Sequence, residues 1–341
     1  MSRITEHINT MKAIAILSVI CAHCSGVNED ASIINKSIGC VLANFGTVGV
    51  CVFFFLSGLF ISNSVVNSDG FGQFVKKKFV RMVPPWLIWG TLVFLYVAIR
   101  KGGDFKSWLT FMVGIGSYLY FLTVILFLYI IGYLVAGRNG EKYILNAVLM
   151  SGSLIFNVLA EMGIISQGHS ALSPLNWYLY FGLGILFKNF KSDIRGLRMI
   201  GWVITYLTCF LMLAGFAGYG INYWSVGFVA FGICSVVMVY NWSCFIDKRF
   251  GQCIPDKGIQ HQNRFGLFVG NVGRNTMFIY LVHMPFAGII TNLCNRVDIW
   301  GLTLLRPLIV FCLTWCMLVA IRKMLHILNL ERFGRFLGLN I

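Results

Sequence analysis

Lys12 and His23 are the ionisable side chains of the first apolar stretch, whose residues 8–24 (INTMKAIAILSVICAHC) are otherwise apolar or small. An ionisable group in such a segment costs roughly 2.5–3.5 kcal/mol on insertion scales, so it usually serves a purpose. On an α-helix their spacing amounts to about 1,100°, roughly 20° past three full turns. Both side chains therefore share one face, about 16 Å apart along the axis. An imidazole can take a proton from an attacking hydroxyl near neutral pH. A cation near one interface and an imidazole near the other predict a substrate threaded across the membrane. The alternative for His23 is a hydrogen bond to the carbonyl of a neighbouring helix.

Other residues could complete such a site. Glu29 and Asp30 follow the end of the first segment. Glu29 is the candidate to orient the His23 ring, although both acids also read as solvated loop residues. Lys76, Lys77, Lys78 and Arg81 precede Pro84, Pro85 and Trp86. Such a cluster either anchors the topology and touches lipid headgroups or binds the phosphates of a cytosolic cofactor, with Arg suited to bidentate contact. Gly273, Thr276, Tyr280 and His283 recur at helical spacing and form a polar stripe. His283 is then a second site residue or a structural hydrogen-bond donor. Phe53, Phe54 and Phe55 lead into Ser57 and Gly58. Gly58 reads as a packing residue, and Ser57 has no histidine nearby in sequence to activate it. Asn176 and Trp177 read chiefly as interfacial anchors, His169 as an outer loop residue, and His7, His261 and His326 as inner-face groups.

The elements that must position these groups are membrane helices. The 341 residues are 58% hydrophobic and 11% charged, with mean hydropathy +0.78, whereas soluble domains carry about 25% charged residues. Ten apolar segments are expected, at about 8–26, 47–66, 83–99, 117–136, 143–160, 173–188, 199–217, 223–243, 274–294 and 303–327, with nine or eleven spans as the alternatives. Residues 108–115 form a half-apolar piece at the interface. The net charge of +15 invites a nucleic-acid reading, but its distribution argues against one. With both termini cytoplasmic, 21 of the 27 Lys and Arg fall on the inner side, as the positive-inside rule requires. The fold class is thus an all-α polytopic membrane bundle, a single domain over 1–341, without a cleavable signal peptide. The longest outer connection is expected at 27–46 and the longest inner one at 247–272. Cys21 and Cys24 match C-x-x-C, but no second ligand pair has metal-site spacing, so no metal is expected.

In this order the motifs resemble acyltransferase family 3, the membrane O-acyltransferases. Lys12 and His23 match the family's basic residue, ten residues, then histidine. Phe53 to Gly58 match its aromatic run ending in Ser-Gly. Lys78 and Arg81, three apart before Pro84, Pro85 and Trp86, match its basic pair. Tyr120, Phe121 and Leu122 are similar to its Trp-Phe-Leu, and the Trp177–Gly184 and Gly273–His283 stretches resemble later segments. The resemblance covers about residues 8–327. Lys in place of Arg at positions 12 and 78 keeps the charge and loses the planar fork.

The resemblance implies transfer of an acyl group, usually acetyl, from cytosolic acyl-CoA to a hydroxyl of a cell-surface or lipid-linked carbohydrate, in a bacterial inner membrane. It points towards single-domain members such as the type that acetylates enterobacterial common antigen. On this reading Lys12, Lys78 and Arg81 hold acetyl-CoA, while His23, Glu29 and His283 serve catalysis. The partners are the glycan acceptor and membrane lipid, with no nucleic acid and no metal. A transporter or flippase of a lipid-linked sugar or small solute would also carry an interior histidine and basic inner loops. A membrane partner subunit without chemistry would tolerate replacement of His23.

Overall fold

A computed structural model describes residues 7–137, 142–165, 171–188, 195–214, 225–250 and 263–340, with side chains left out at 195–199 and 210–214. Among these residues all regular structure is helical. The chain opens with α1 (Ile8–His23), α2 (Ile33–Val66) and α3 (Phe71–Lys101). A short α4 (Phe105–Val113) leads to α5 (Tyr120–Ala136), α6 (Tyr143–Glu161) and α7 (Pro174–Phe187). Then come α8 (Arg195–Ala214), α9 (Val226–Phe250), α10 (Arg264–Arg274), α11 (Thr276–Cys294) and α12 (Trp300–Ile327), before a 3₁₀ segment at Glu331–Leu337.

Each of the ten expected segments falls on one of these helices where it is described; residues 215–217 and 223–224 of the seventh and eighth lie outside the described ones. Six helices, α2, α3, α6, α9, α11 and α12, are long and apolar enough to cross a bilayer. Two departures from the sequence reading matter. The outer connection expected at 27–46 is helical from Ile33, where Ser32 caps α2. At 34 residues, α2 is about 51 Å long and outreaches the roughly 30 Å of hydrocarbon. The inner connection expected at 247–272 ends in α10, and its residues 251–262 lie outside the described ones. The half-apolar piece at 108–115 begins within α4.

The core is built around α1, which packs against α2, α9, α10, α11 and α12. Met11, Ala15, Ile16 and Ile20 are fully buried. Lipid tails are as apolar as leucine, so close packing rather than hydrophobic burial joins helices in a membrane. The α1–α2 seam shows this. A Cβ on Gly49 would lie 2.2 Å from the Ala15 carbonyl oxygen, so only glycine lets the two backbones meet. The α2–α7 seam repeats the device: a Cβ on Gly58 would lie 1.9 Å from the Phe181 carbonyl oxygen. The packing role expected for Gly58 is thereby observed.

Trp177 corrects the sequence reading. It is fully buried, stacks on Phe54 at 5.1 Å between ring centroids, and donates its indole N–H to the Ala171 carbonyl at 2.8 Å. Asn176 is 2% exposed. Both belong to the interior rather than to an interfacial belt, because α7 enters between α2, α5 and α6.

Candidate active site

Along α3 the basic cluster occupies the second and third turns, before Pro84 and Pro85 inside the same helix. These prolines lack N–H groups, so the Val80 and Arg81 carbonyls lose their i+4 helical partners. Lys78 and Arg81 lie three apart and so share a face. Both line a chamber of about 690 Å³ together with Lys12, Lys77, Ser57 and Tyr129. Among the described residues no acidic one lines it. Lys77 donates to the Asn67 carbonyl at 2.6 Å. Lys78 donates to Ser64 at 3.1 Å and lies 4.3 Å from the Tyr129 ring centroid. Ser57 and Tyr129 both contribute hydroxyls to the chamber wall. Lys12 lies over the Phe60 ring at 6.0 Å. Four cations with no acidic lining residue among the described ones suit a polyanion, and aromatic walls from Phe53, Phe60 and Phe121 suit an apolar arm.

His23 ends α1, partly exposed. Its ring lies 5.1 Å from that of His283 between centroids. His283 is 0% exposed, and its Nδ1 lies 2.7 Å from the Tyr280 carbonyl and 3.2 Å from that of Ile279. Carbonyls only accept, so Nδ1 carries the proton and Nε2 presents a lone pair. That Nε2 is buried without a partner. Tyr118 completes the group, with its ring 6.3 Å from His23 and 5.8 Å from His283.

Between chamber and histidines stands a layer of rings. Tyr280 donates to the Tyr118 carbonyl, and Tyr118 donates to the Leu281 carbonyl at 2.9 Å, a reciprocal clasp. Phe121 lies 5.6 Å from the Tyr280 ring. The chamber reaches Phe121 and Tyr280 but neither histidine. The single passage suggested by the Lys12–His23 spacing is thus divided in two.

The expected site residues therefore fall into two groups. Lys12, Lys78 and Arg81 meet in the chamber, whereas His23 and His283 meet beyond the rings. The stripe is split as well: Gly273 belongs to α10, where a Cβ would lie 1.9 Å from the Asn9 carbonyl oxygen. Thr276 and Tyr280 line the chamber. Glu29 is exposed in the outer turn and makes no hydrogen bond to His23. His7 bonds Asp247 at 2.6 Å and His326 bonds Glu331 at 2.6 Å, while His169 and His261 lie outside the described residues. Cys21 and Cys24 are free thiols, and among the described residues no cluster could hold a metal ion. Sequence reasoning missed Tyr118 and Tyr129, which carry no motif of their own.

No curated protein and no solved structure matches the chain. A family model described as an acyltransferase domain matches residues 6–321, nearly its whole length. By that match the chain belongs to acyltransferase family 3, and with its apolar helices it is a multi-pass membrane acyltransferase.

Proposed function

We propose that the protein transfers an acyl group, acetyl first among them, from acyl-CoA at the inner face to a hydroxyl of a surface or lipid-linked carbohydrate at the outer face. Both termini are then cytoplasmic and the membrane is the bacterial inner membrane. The observation that carries this reading is the separation of roles along one bundle. Uncompensated cations line the chamber, and a close histidine pair lies past the aromatic layer.

Lys77, Lys78 and Arg81 hold the phosphates of the donor, with Arg81 the least engaged, since it makes no hydrogen bond or ion pair among the described residues. Lys12 lies further along the same chamber. The pantetheine arm runs past Tyr129 and Phe60 towards Phe121. Phe121 is partly exposed and makes ring contacts, whereas Tyr280 is clasped to Tyr118. Phe121 is therefore the ring that turns aside for the thioester.

His23 takes the proton of the acceptor hydroxyl as its oxygen attacks the thioester carbonyl carbon. The C–S bond breaks, the ester forms, and the proton passes to sulfur, releasing CoA as the thiol. His283 positions His23, because its Nδ1–H is tied to the backbone and its Nε2 lone pair is free to accept from the charged ring. Removing a general base costs about 10²–10⁴-fold. His23→Ala is expected to lose transfer of labelled acetyl from acetyl-CoA into glycan while still folding, inserting and binding CoA. Retention of most transfer in that variant removes the proposed base. Solute movement without covalent label would favour a transporter.

A further inference from the structure

At the outer end of the bundle a second pocket of about 140 Å³ lies between the turn after α1 and the turn before α12. Arg306 of α12 forms its depth and is 2% exposed. It donates to the Gly26 carbonyl at 2.7 Å and to Asn295 Oδ1 at 2.7 Å, and its Nε has no partner. No carboxylate within the described residues pairs with it. Asp298, a carboxylate of the pocket wall, is occupied: it accepts from the Ser32 backbone N–H at 3.0 Å, the Ser32 hydroxyl at 3.3 Å and the Asn35 amide. Asp30 and Arg296 stand exposed at the rim.

A buried guanidinium bonded only to neutral acceptors is expensive, because desolvation costs several kcal/mol that an ion pair would offset. The remaining walls are polar. Asn28 donates to the Asn295 carbonyl at 3.1 Å, which fixes the two turns to each other. Partnerless polar atoms continue from the pocket towards the histidines: Asn35 Oδ1, Arg306 Nε, Thr291 Oγ1 and His283 Nε2 are all buried and unbonded. Gly26 is three residues past His23, so its Cα lies within about 11 Å of the His23 Cα by chain reach. That is the scale of one or two sugar units.

We propose that this pocket is an acceptor subsite that reads an anionic substituent, a carboxylate or a phosphate ester, on the acceptor carbohydrate. The inference rests on the reading that the acceptor arrives from the outer side. Arg306 holds the anion through its unspent donor capacity, and the amides of Asn28 and Asn35 take neighbouring hydroxyls. His23 is then presented with a hydroxyl of the same or the adjacent sugar.

The test uses the full chain in nanodiscs of neutral lipid. Binding of methyl glucuronoside, glucose 6-phosphate, methyl glucoside and inorganic phosphate is measured by saturation-transfer NMR, with CoA affinity determined separately. Wild type is expected to bind an anionic sugar at least tenfold more tightly than methyl glucoside. The preference should vanish in Arg306→Gln, while CoA affinity stays within twofold. Ala31→Phe, which fills the pocket without touching the Arg306 bonds, should lose the sugar as well and keeps the test decisive if Arg306→Gln misfolds. Inorganic phosphate or an anionic phospholipid binding as tightly as the sugar phosphate would mean a headgroup site and overturn the proposal. So would a wild type indifferent to sugar charge, or a preference that survives in both variants. Intact CoA binding with no such preference overturns the subsite alone, whereas absent CoA binding overturns the reading beneath it.

Discussion

Gly58→Ala probes whether backbone contact between α2 and α7 sets the donor chamber. The added methyl would lie 1.9 Å from the Phe181 carbonyl oxygen, where ordinary contact begins at 3.4 Å. The two helices must part by about 1.5 Å, because the obstacle is backbone and has no rotamer to yield. The seam is also closed at Gly184, whose Cβ would meet the Phe55 carbonyl oxygen at 2.1 Å, so α2 cannot tilt about that point. Overpacking of this kind costs about 1–3 kcal/mol. Its functional cost is larger, because α2 carries Ser57, Phe60 and Ser64 of the chamber wall. Ser64 holds Lys78 at 3.1 Å, a bond that does not survive such a shift. Misplacement by about 1 Å can cost about 100-fold in rate. The expected result is a 10- to 100-fold loss of labelled acetyl transfer per inserted molecule, with a lowered melting temperature in detergent. Gly152→Ala is the control: nothing lies within 4 Å of its Cβ position, and alanine there should be neutral or stabilising by about 0.5–1 kcal/mol. Equal behaviour of the two variants would refute the reasoning.

Two further perturbations test other parts of the molecule. Lys78→Ala and Arg81→Ala should each weaken CoA binding about tenfold, the scale of one charge-assisted hydrogen bond at about 1.5 kcal/mol. Calorimetry with purified protein checks this, and unchanged affinity would return the cluster to membrane anchoring. At the inner end of α1, burial acts to lower the His7 pKa. The bond to Asp247, aided by Cys244, outweighs it and brings the pKa up to about 9. A raised histidine pKa stabilises the fold fully below the ordinary value near 6.5 and loses that contribution as pH rises through 9. Melting temperature should therefore fall between pH 6.5 and 9.5, and fall less in His7→Gln. Identical slopes would sink the assignment.

Some of this architecture is legible in local sequence because it obeys a period. Lys12 and His23 declare their shared face through the 3.6-residue turn, and Lys78 with Arg81 through the i, i+3 relation. The helical stripe placed Tyr280 and His283 together for the same reason. What sequence could not convey was contact between distant segments. Glu29 is close to His23 in sequence, yet α1 stops at His23 and the following turn carries the acid outward. Trp177 looks like an interfacial anchor because a tryptophan at the edge of an apolar run reads the same facing lipid or core. Only its stacking on Phe54 decides. The Tyr118–Tyr280 clasp joins residues 162 positions apart, and no local pattern marks it. Arg306 did leave a signal, a charge inside the last apolar run at 303–327. The cost argument that singled out Lys12 applied to it equally.

The ring layer gives the proposed transfer its physical logic. CoA phosphates cannot enter an aromatic seam, since an unpaired charge in low dielectric costs several kcal/mol. In the proposed transfer Lys77, Lys78 and Arg81, which line the chamber, meet them before that seam. A buried charge on the far side is likewise held in place, if Arg306 binds the acceptor. The one part of the donor that is neutral, small and apolar enough to pass Phe121 is the acyl end itself. Tyr280 and Tyr118 are held to backbone carbonyls by their hydroxyls and fix the edge of that seam, with the Tyr280 ring 5.6 Å from Phe121 and 6.0 Å from His283. On this geometry the barrier that stops CoA from crossing is also what brings the thioester carbon to His23, because a thicker seam would leave it short of the imidazole and an open one would admit water to hydrolyse it.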